Sequence, residues 1–135
     1  MKEPVWLNAA DIYGIHKQVT AITGGKPGIL DVGMIASSLT KAKNVFHYTA
    51  NPNIFELAAV YGYGFTKNHC FLEGNVQVAF ITVYTFLMIN GYKLTAMNNE
   101  VVERFSTLAA SNQDQSTDIE NLAQWLCEHT QANTL

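Results

Sequence analysis

The sequence predicts a single all-α domain, a compact bundle of about six helices that spans residues 1–135. Three observations support this fold class. Apolar residues recur at helical spacing in successive segments, and strand-like alternation is nearly absent. Clusters of glycine, proline and asparagine separate these segments at short intervals, as between the helices of one domain. With 48% hydrophobic residues, the chain carries enough apolar surface for one sizeable core.

A glycine-rich loop separates the first two predicted helices. Asn8 and Asp11 have the spacing of a helix start. The inward face of this helix then carries four apolar residues: Ile12, Ile15, Val19 and Ile22. The loop 24–28, Gly-Gly-Lys-Pro-Gly, ends it, since this sequence cannot continue a helix. Asp31 caps a second helix, which we expect to end within residues 44–48.

The third and fourth helices flank a polar segment. The sequence Asn-Pro-Asn at 51–53 precedes a third helix that runs to about Lys67. We assign three aromatic residues of this helix to the core: Tyr61, Tyr63 and Phe65. Residues 77–89 are apolar on all faces, so we predict that they form the most buried helix. The apolar run 76–89 falls short of the ~20 residues that a membrane span requires, so we expect no membrane association.

Two further helices follow a short break. Residues 90–91, Asn-Gly, close the fourth helix, and residues 92–94 are predicted to be briefly extended. Asn98 or Asn99 caps the fifth helix, and Thr117 begins the sixth with capping-box spacing. The inward residues of the fifth helix are Val101, Val102, Phe105 and Leu108. Those of the sixth are Ile119, Leu122, Ala123 and Leu126.

Charge and cysteine content exclude several classes of protein. A net charge of -3 with only 8 Lys and Arg leaves no basic stripe, so we expect no direct nucleic-acid partner. Cys70 and Cys127 do not form a CxxC pair, and we interpret both as free thiols. Residues 1–6 lack the apolar stretch of a signal peptide, so the expected location is cytoplasmic.

Residues 69–75, His-Cys-Phe-Leu-Glu-Gly-Asn, form a loop whose chemistry suits a phosphate-bearing ligand. The amino end of a helix offers free N–H groups, and glycine permits close approach, so we expect phosphate near Gly74 and Asn75. Glu73 is suited to Mg²⁺, which prefers one or two carboxylates plus phosphate oxygens. His69 is suited to take a proton from an attacking hydroxyl. On residue types alone, a packed or capping histidine is the more usual interpretation.

The same loop resembles the HxFx(D/E)(G/A)N signature of the Fic/Doc family. It matches at all five specified positions: His69, Phe71, Glu73, Gly74 and Asn75. Upstream, Ile15 and His16, the glycine-rich loop 24–28, Asp31 and Gly33 are similar to the first helix and turn of Doc-type (death-on-curing) toxins. The resemblance covers essentially the whole chain and favours the small Doc branch.

The resemblance implies a Fic/Doc-like bundle in which the motif loop precedes a buried central helix, with a site for ATP and Mg²⁺. Fic members transfer AMP to a protein hydroxyl. Doc toxins phosphorylate elongation factor Tu and arrest translation, and a partner antitoxin inserts a helix to neutralise them. Carried over residue by residue, His69 is the base, Glu73 the metal-associated catalytic acid, and Gly74 and Asn75 bind phosphate. Phe71 and Gly74 have structural roles, with Phe71 pointing inward.

The residues after Asn75 depart from both branches of the family. Doc-type loops continue with Lys-Arg, and Fic-type loops with Gly-Arg and a further arginine three positions later. Here the chain has Val76 and Gln77, with Phe80 at the later position, which is compatible with a Doc-type member. A cation on a transferring phosphoryl group is worth on the order of 10³–10⁵ in rate. We therefore expect impaired transfer, with Gln77 as one neutral donor to phosphate.

Three functions stay open at this point. The first is a toxin-like transferase acting on a protein hydroxyl. The second is a catalytically inactive member, natural or altered at Val76 and Gln77, that binds only an antitoxin or another protein. The third is a structural helical domain with a chance loop match. The two missing cations favour the second for this chain. Three further histidines lack metal-ligand spacing, and we assign them to surface or packing roles: His16, His47 and His129.

Overall fold

The computed structural model describes residues 1–133 and confirms an all-α domain with a small two-stranded sheet. The helices are α1 (Ala9–Thr23), α2 (Val32–Tyr48), α3 (Ile54–Lys67), α4 (Asn75–Ile89), α5 (Asn98–Ala110) and α6 (Gln115–Glu128). The strands are β1 (Tyr92–Leu94) and β2 (Thr130–Ala132). No helix within residues 1–133 combines the length and the apolar character that crossing a membrane requires.

Helix α3 is the centre of the bundle and packs against α2, α4, α5 and α6. It has 10 buried residues, whereas α4 has 6. The prediction that residues 77–89 form the most buried helix is therefore wrong. Apolar residues surround α4, but its outer side is uncovered, and Tyr84 and Ile89 are 39% and 45% exposed. Small residues on α3, among them Ala58 and Gly62, allow several helices to approach it at once.

Local capping sets most helix ends as the sequence predicts. The Asn8 side chain accepts the Asp11 N–H, and the Asp11 carboxylate accepts the Asn8 N–H. Gly24 ends α1 with a left-handed φ of 71°. Asp31 caps α2 by accepting the Met34 N–H. Ile22 was predicted to face inward but is 84% exposed, since nothing within residues 1–133 covers the end of α1.

The starts of α5 and α6 differ from prediction. Met97, not Asn98 or Asn99, is the residue before α5, and its N–H donates to the Glu100 carboxylate. Asp114 caps α6 by accepting the Thr117 N–H, so Thr117 lies in the first turn. Val102 is 51% exposed, although it was predicted to face inward. Its position is about 100° around the helix from the buried Val101.

The two strands pair antiparallel beyond the ends of α4 and α6, with Tyr92 opposite Ala132. The prediction of a brief extended segment at 92–94 is confirmed. Its partner was missed because Thr130–Ala132 has no apolar alternation, and the pairing depends on contact between distant parts of the chain. Cys70 and Cys127 are free thiols, as predicted.

Candidate functional site

The loop between α3 and α4 places His69 at the surface and Phe71 in the core. His69 is exposed and has a left-handed φ of 47°, which is uncommon for a residue other than glycine. Phe71 is 1% exposed. Cys70 is also buried, and burial raises the pKa of its thiol, so it remains protonated near neutral pH and is a poor nucleophile. The exposed polar group at this end of the loop is therefore the imidazole.

Gly74 makes the turn into α4. Its φ of 85° is left-handed, and a Cβ at this position would lie 3.0 Å from Cγ1 of Val19. No side chain of residues 1–133 caps the helix that follows. Within residues 1–133, the N–H groups of Asn75, Val76 and Gln77 have no hydrogen-bond partner. Unpaired N–H groups at the amino end of a helix favour an anion.

Asn75 closes the loop through its side-chain amide. Its Oδ1 accepts the Phe71 N–H at 3.1 Å, and its Nδ2 donates to the Phe71 carbonyl at 2.8 Å. One Nδ2 hydrogen remains beyond this pair of bonds. The Asn75 side chain thus fixes the shape of the loop, and any contact with phosphate would use the remaining hydrogen or the backbone N–H.

Glu73 is held at two points by the first part of the chain. Its Oε2 accepts the backbone N–H of Lys26 at 2.9 Å, and its carbonyl lies 3.3 Å from Nε2 of His16. A Cβ on Gly25 would lie 2.9 Å from Oε2, so glycine is what allows the carboxylate to approach the α1–α2 loop. The Oε1 atom makes no hydrogen bond within residues 1–133 and is free for a ligand.

The α1–α2 loop also runs alongside the motif loop as a short bridge. Leu30 N–H donates to the Cys70 carbonyl at 2.8 Å, and Leu72 N–H donates to the Gly28 carbonyl at 3.0 Å. These bonds flank an antiparallel bridge between Ile29 and Phe71. The glycine-rich loop therefore supports the motif loop directly.

All the predicted site residues except Phe71 line one cleft of about 480 Å³, and Phe71 lies beneath it in the core. The cleft residues of the motif and α4 are His69, Leu72, Glu73, Gly74, Asn75, Val76, Gln77 and Phe80. Thr66 and the α5 residues Val102, Ser106 and Ala109 complete the lining. The lining contains no Lys or Arg. A larger groove of about 910 Å³ lies between α2, α3 and α6, but none of residues 69–77 borders it, so volume alone does not identify the site.

These groups suit a nucleotide with a partly hydrated Mg²⁺ better than a metal bound by protein alone. No group of three His, Cys, Asp or Glu side chains within residues 1–133 is arranged to hold a metal ion. Glu73 is one exposed carboxylate beside the free N–H groups of α4, and Mg²⁺ bound to phosphate often needs only one or two carboxylates. The residues present therefore fit ATP and Mg²⁺ in kind, but supply no cation for the phosphates.

Sequence reasoning missed the part that His16 has in this site. It assigned His16 to the surface or to packing, and packing is correct, since the side chain is 6% exposed. Its ring also stacks on Phe71 and its Nε2 faces the Glu73 carbonyl. Position 16 lies on the same face of α1 as the buried Ile12 and Val19, which was the available signal. The α5 wall of the cleft was missed as well, because only tertiary packing brings it there.

Comparison with known proteins gives a consistent result. A family model described as the Fic/DOC family matches residues 6–87, a segment that contains α1 to α3, the motif loop and most of α4. Toxin Doc of Mycolicibacterium smegmatis is 30% identical over 74 residues. That match spans 54% of this chain and 57% of the toxin, so it covers little more than half of either protein. The family match extends over more than half of the chain and includes the whole motif, and the chain therefore belongs to the Fic/Doc family.

Proposed function

We propose that this chain is a Doc-type toxin homologue whose cleft binds ATP with Mg²⁺ weakly and whose transfer of phosphate or AMP to a protein hydroxyl is strongly impaired. One observation carries the proposal. His69, Glu73 and the uncapped amino end of α4 line the same cleft, and that cleft contains no cation. The similarity to a protein named Toxin Doc supports the toxin ancestry.

The cleft residues have separate roles in this proposal. His69 takes the proton of the target hydroxyl as its oxygen bonds to phosphorus, and the departing group is ADP or pyrophosphate, according to which phosphorus is attacked. Glu73 holds Mg²⁺ through its free Oε1. Bound Mg²⁺ neutralises phosphate charge. The N–H groups of Asn75, Val76 and Gln77 donate to phosphate oxygens.

The impairment follows from the side chains in the first turn of α4. Val76 and Gln77 line the cleft where other family members carry cations, and their side chains offer no charge. One phosphate-binding cation is worth on the order of 10³–10⁵ in rate. Gln77 retains a neutral donor, so we expect weak nucleotide binding with very slow transfer.

The proposed partners are an antitoxin protein and, as a substrate, a protein such as elongation factor Tu. The absence of a cation from the cleft favours a second candidate function, in which the chain is a catalytically inactive protein that only engages an antitoxin or another protein. The two candidates differ in whether any transfer to a protein hydroxyl remains, and the second predicts weak or no nucleotide binding.

The test restores the missing charges. Val76→Lys with Gln77→Arg places two long cationic side chains at the cleft, so we expect ATP·Mg²⁺ to bind at least ~10-fold more tightly, a gain of about 1.4 kcal/mol. A matched control, Ala10→Lys with Tyr48→Arg, adds the same charges at exposed positions outside the cleft and is expected to leave affinity unchanged. Calorimetric titration of each purified protein measures the affinity.

Labelling then tests the chemistry. Bacterial lysate treated with the double variant and ATP labelled at the γ- or the α-phosphate distinguishes phosphate transfer from AMP transfer. Adding His69→Ala is expected to abolish the label while the fold persists, because His69 is exposed. If the folded double variant binds no nucleotide, the nucleotide site is wrong. If it binds nucleotide but labels nothing, the binding-protein alternative takes its place.

A further inference from the structure

His16 joins α1 to the motif loop from within the core. Its imidazole lies almost parallel to the Phe71 ring, with 4.0 Å between the ring centroids and 14° between the planes. The side chain is 6% exposed, and it is the one polar side chain among the buried residues of α1. The other buried residues of that helix, Ile12, Ile15 and Val19, are apolar. A buried polar group on such a face is costly unless it is hydrogen-bonded.

The bond that satisfies this histidine is made to the backbone of Glu73. Nε2 lies 3.3 Å from the Glu73 carbonyl oxygen, and since a carbonyl only accepts, Nε2 carries the hydrogen. In a longer α4, the Gln77 N–H would donate to this carbonyl. It does not do so here, because α4 starts at Asn75. The imidazole thus donates to the Glu73 carbonyl where a helical N–H would otherwise donate. The Gln77 N–H remains unpaired at the cleft.

Glu73 is consequently fixed from both of its ends. His16 holds its carbonyl, and the Lys26 N–H holds one oxygen of its carboxylate. The two contacts come from α1 and from the loop that follows it, so α1 and this loop together set where the free Oε1 lies. Groups that orient a metal-binding side chain in this way typically contribute 10- to 100-fold in metal affinity.

We propose that His16 is a positioning residue, which orients Glu73 for Mg²⁺ and keeps the Gln77 N–H free for phosphate. The proposal rests on the proposed nucleotide site. It assigns His16 no contact with ATP or with the reacting atoms, since its neighbours are Phe71 and the Glu73 backbone.

Two substitutions separate the stacking of His16 from its hydrogen bond. His16→Phe keeps a ring against Phe71 and removes the donor. His16→Gln removes the ring and keeps an N–H donor near the position of Nε2. His47→Phe is the matched control, because His47 is exposed and lies 3.9 Å from Glu3, outside the cleft.

We expect His16→Phe to raise the Mg²⁺ concentration for half-maximal binding of a fluorescent ATP analogue about 10-fold or more. His16→Gln should recover part of this loss, and His47→Phe should match the wild type.

Amide exchange in the nucleotide-free protein, followed by NMR, supplies a second measurement. The Phe71 N–H, bound by Asn75, and the Val78 N–H, bound by the Gly74 carbonyl, should exchange faster in His16→Phe. An unchanged Mg²⁺ requirement overturns the proposal even if exchange or stability changes, because a purely structural histidine would give that result. An equal requirement in the Phe and Gln variants also overturns it. If the wild type and the Val76→Lys, Gln77→Arg protein both fail to bind ATP, the proposed nucleotide site is wrong. The role proposed for His16, which depends on that site, is then wrong as well.

Discussion

Most residues of the motif build the loop itself. The side-chain oxygen and nitrogen of Asn75 both hydrogen-bond to the Phe71 backbone, and the Phe71 ring packs in the core beneath the loop. Gly74 supplies the left-handed turn into α4. His69 and Glu73 remain exposed at the cleft. The shape of the loop therefore depends on Phe71, Gly74 and Asn75 and not on any catalytic activity.

Tyr61 gives a residue-scale prediction about pH. It is fully buried, and its hydroxyl lies near the Leu7 backbone but makes no hydrogen bond of good geometry within residues 1–133. Burial raises the pKa of Tyr61 to about 12 from the ordinary 10.0, and the Leu7 backbone opposes this increase only in part. The unfolded chain therefore loses this proton at a lower pH than the folded one. The contribution of Tyr61 to stability is complete below about pH 10 and is lost as pH rises towards 12. We expect Tyr61→Phe, which has no hydroxyl to ionise, not to lose stability for this reason.

Urea denaturation of the wild type and Tyr61→Phe at several pH values checks the prediction. Near pH ~8 the variant should be as stable as the wild type or more stable by up to ~1–3 kcal/mol, since it removes a buried hydroxyl that has no hydrogen-bond partner within residues 1–133. Above about pH 10 this difference in favour of the variant should grow with pH. Parallel pH dependence of the two proteins would show that Tyr61 ionises normally.

At the scale of elements, local chemistry predicts where helices begin and end. Asn8, Gly24 and Asp31 act through hydrogen bonds or backbone angles within a few residues, and the sequence locates them correctly. The start of α6 was misplaced because Asp114 and Thr117 both have capping chemistry, and only the folded structure selects between them.

The contacts that complete the site were not predictable in this way. His16 and Glu73 are 57 residues apart, and Lys26 is 47 residues from Glu73. Such pairs depend on how helices pack, which hydrophobic periodicity does not specify. The same reason explains the misjudged burial of α4, whose composition is apolar but whose outer side is left exposed by the part of the chain that the structure describes. The motif residues were identified because their chemistry is contiguous in the chain.

The start of α4 gives a prediction at this scale. Gly74→Ala would place a Cβ on a residue with φ of 85°, 3.0 Å from Val19. We expect a loss of roughly 1–3 kcal/mol in the free energy of unfolding. Gly91→Ala is the matched control, because Gly91 has a similar φ of 93° but no atom within 4 Å of the added Cβ. Urea denaturation should show the larger loss for Gly74→Ala, and equal losses would mean that the Val19 contact relaxes without cost.

At the scale of the whole molecule, the bundle is organised around close approach to α3. Gly62 lies where three other helices meet this one. A Cβ on Gly62 would lie 2.9 Å from Leu122 of α6, 3.1 Å from Val83 of α4 and 3.3 Å from Phe105 of α5. All three of these residues are completely buried, so none has free space into which to move. The position of α4, and with it the α4 side of the cleft, thus depends on glycine, which has no side chain, at position 62 of α3.

This arrangement predicts opposite effects for the same substitution at two glycines within helices. Alanine stabilises a helix by roughly 0.5–1 kcal/mol relative to glycine. Gly14 is exposed on α1 and a Cβ there meets nothing within 4 Å, so Gly14→Ala should stabilise the protein by about this amount. At Gly62 the same gain is opposed by overpacking, which typically costs ~1–3 kcal/mol, so Gly62→Ala should be net destabilising.

The added Cβ meets Leu122 of α6 most closely, and Val83 of α4 next. Because part of the strain falls on Val83, Gly62→Ala should also displace α4 and weaken ATP binding in the Val76→Lys, Gln77→Arg background, whereas Gly14→Ala should not. Urea denaturation and nucleotide titration of both variants measure these effects. Stabilisation by Gly62→Ala would mean that α6 or α4 moves freely away from α3, which would contradict a bundle held at this contact.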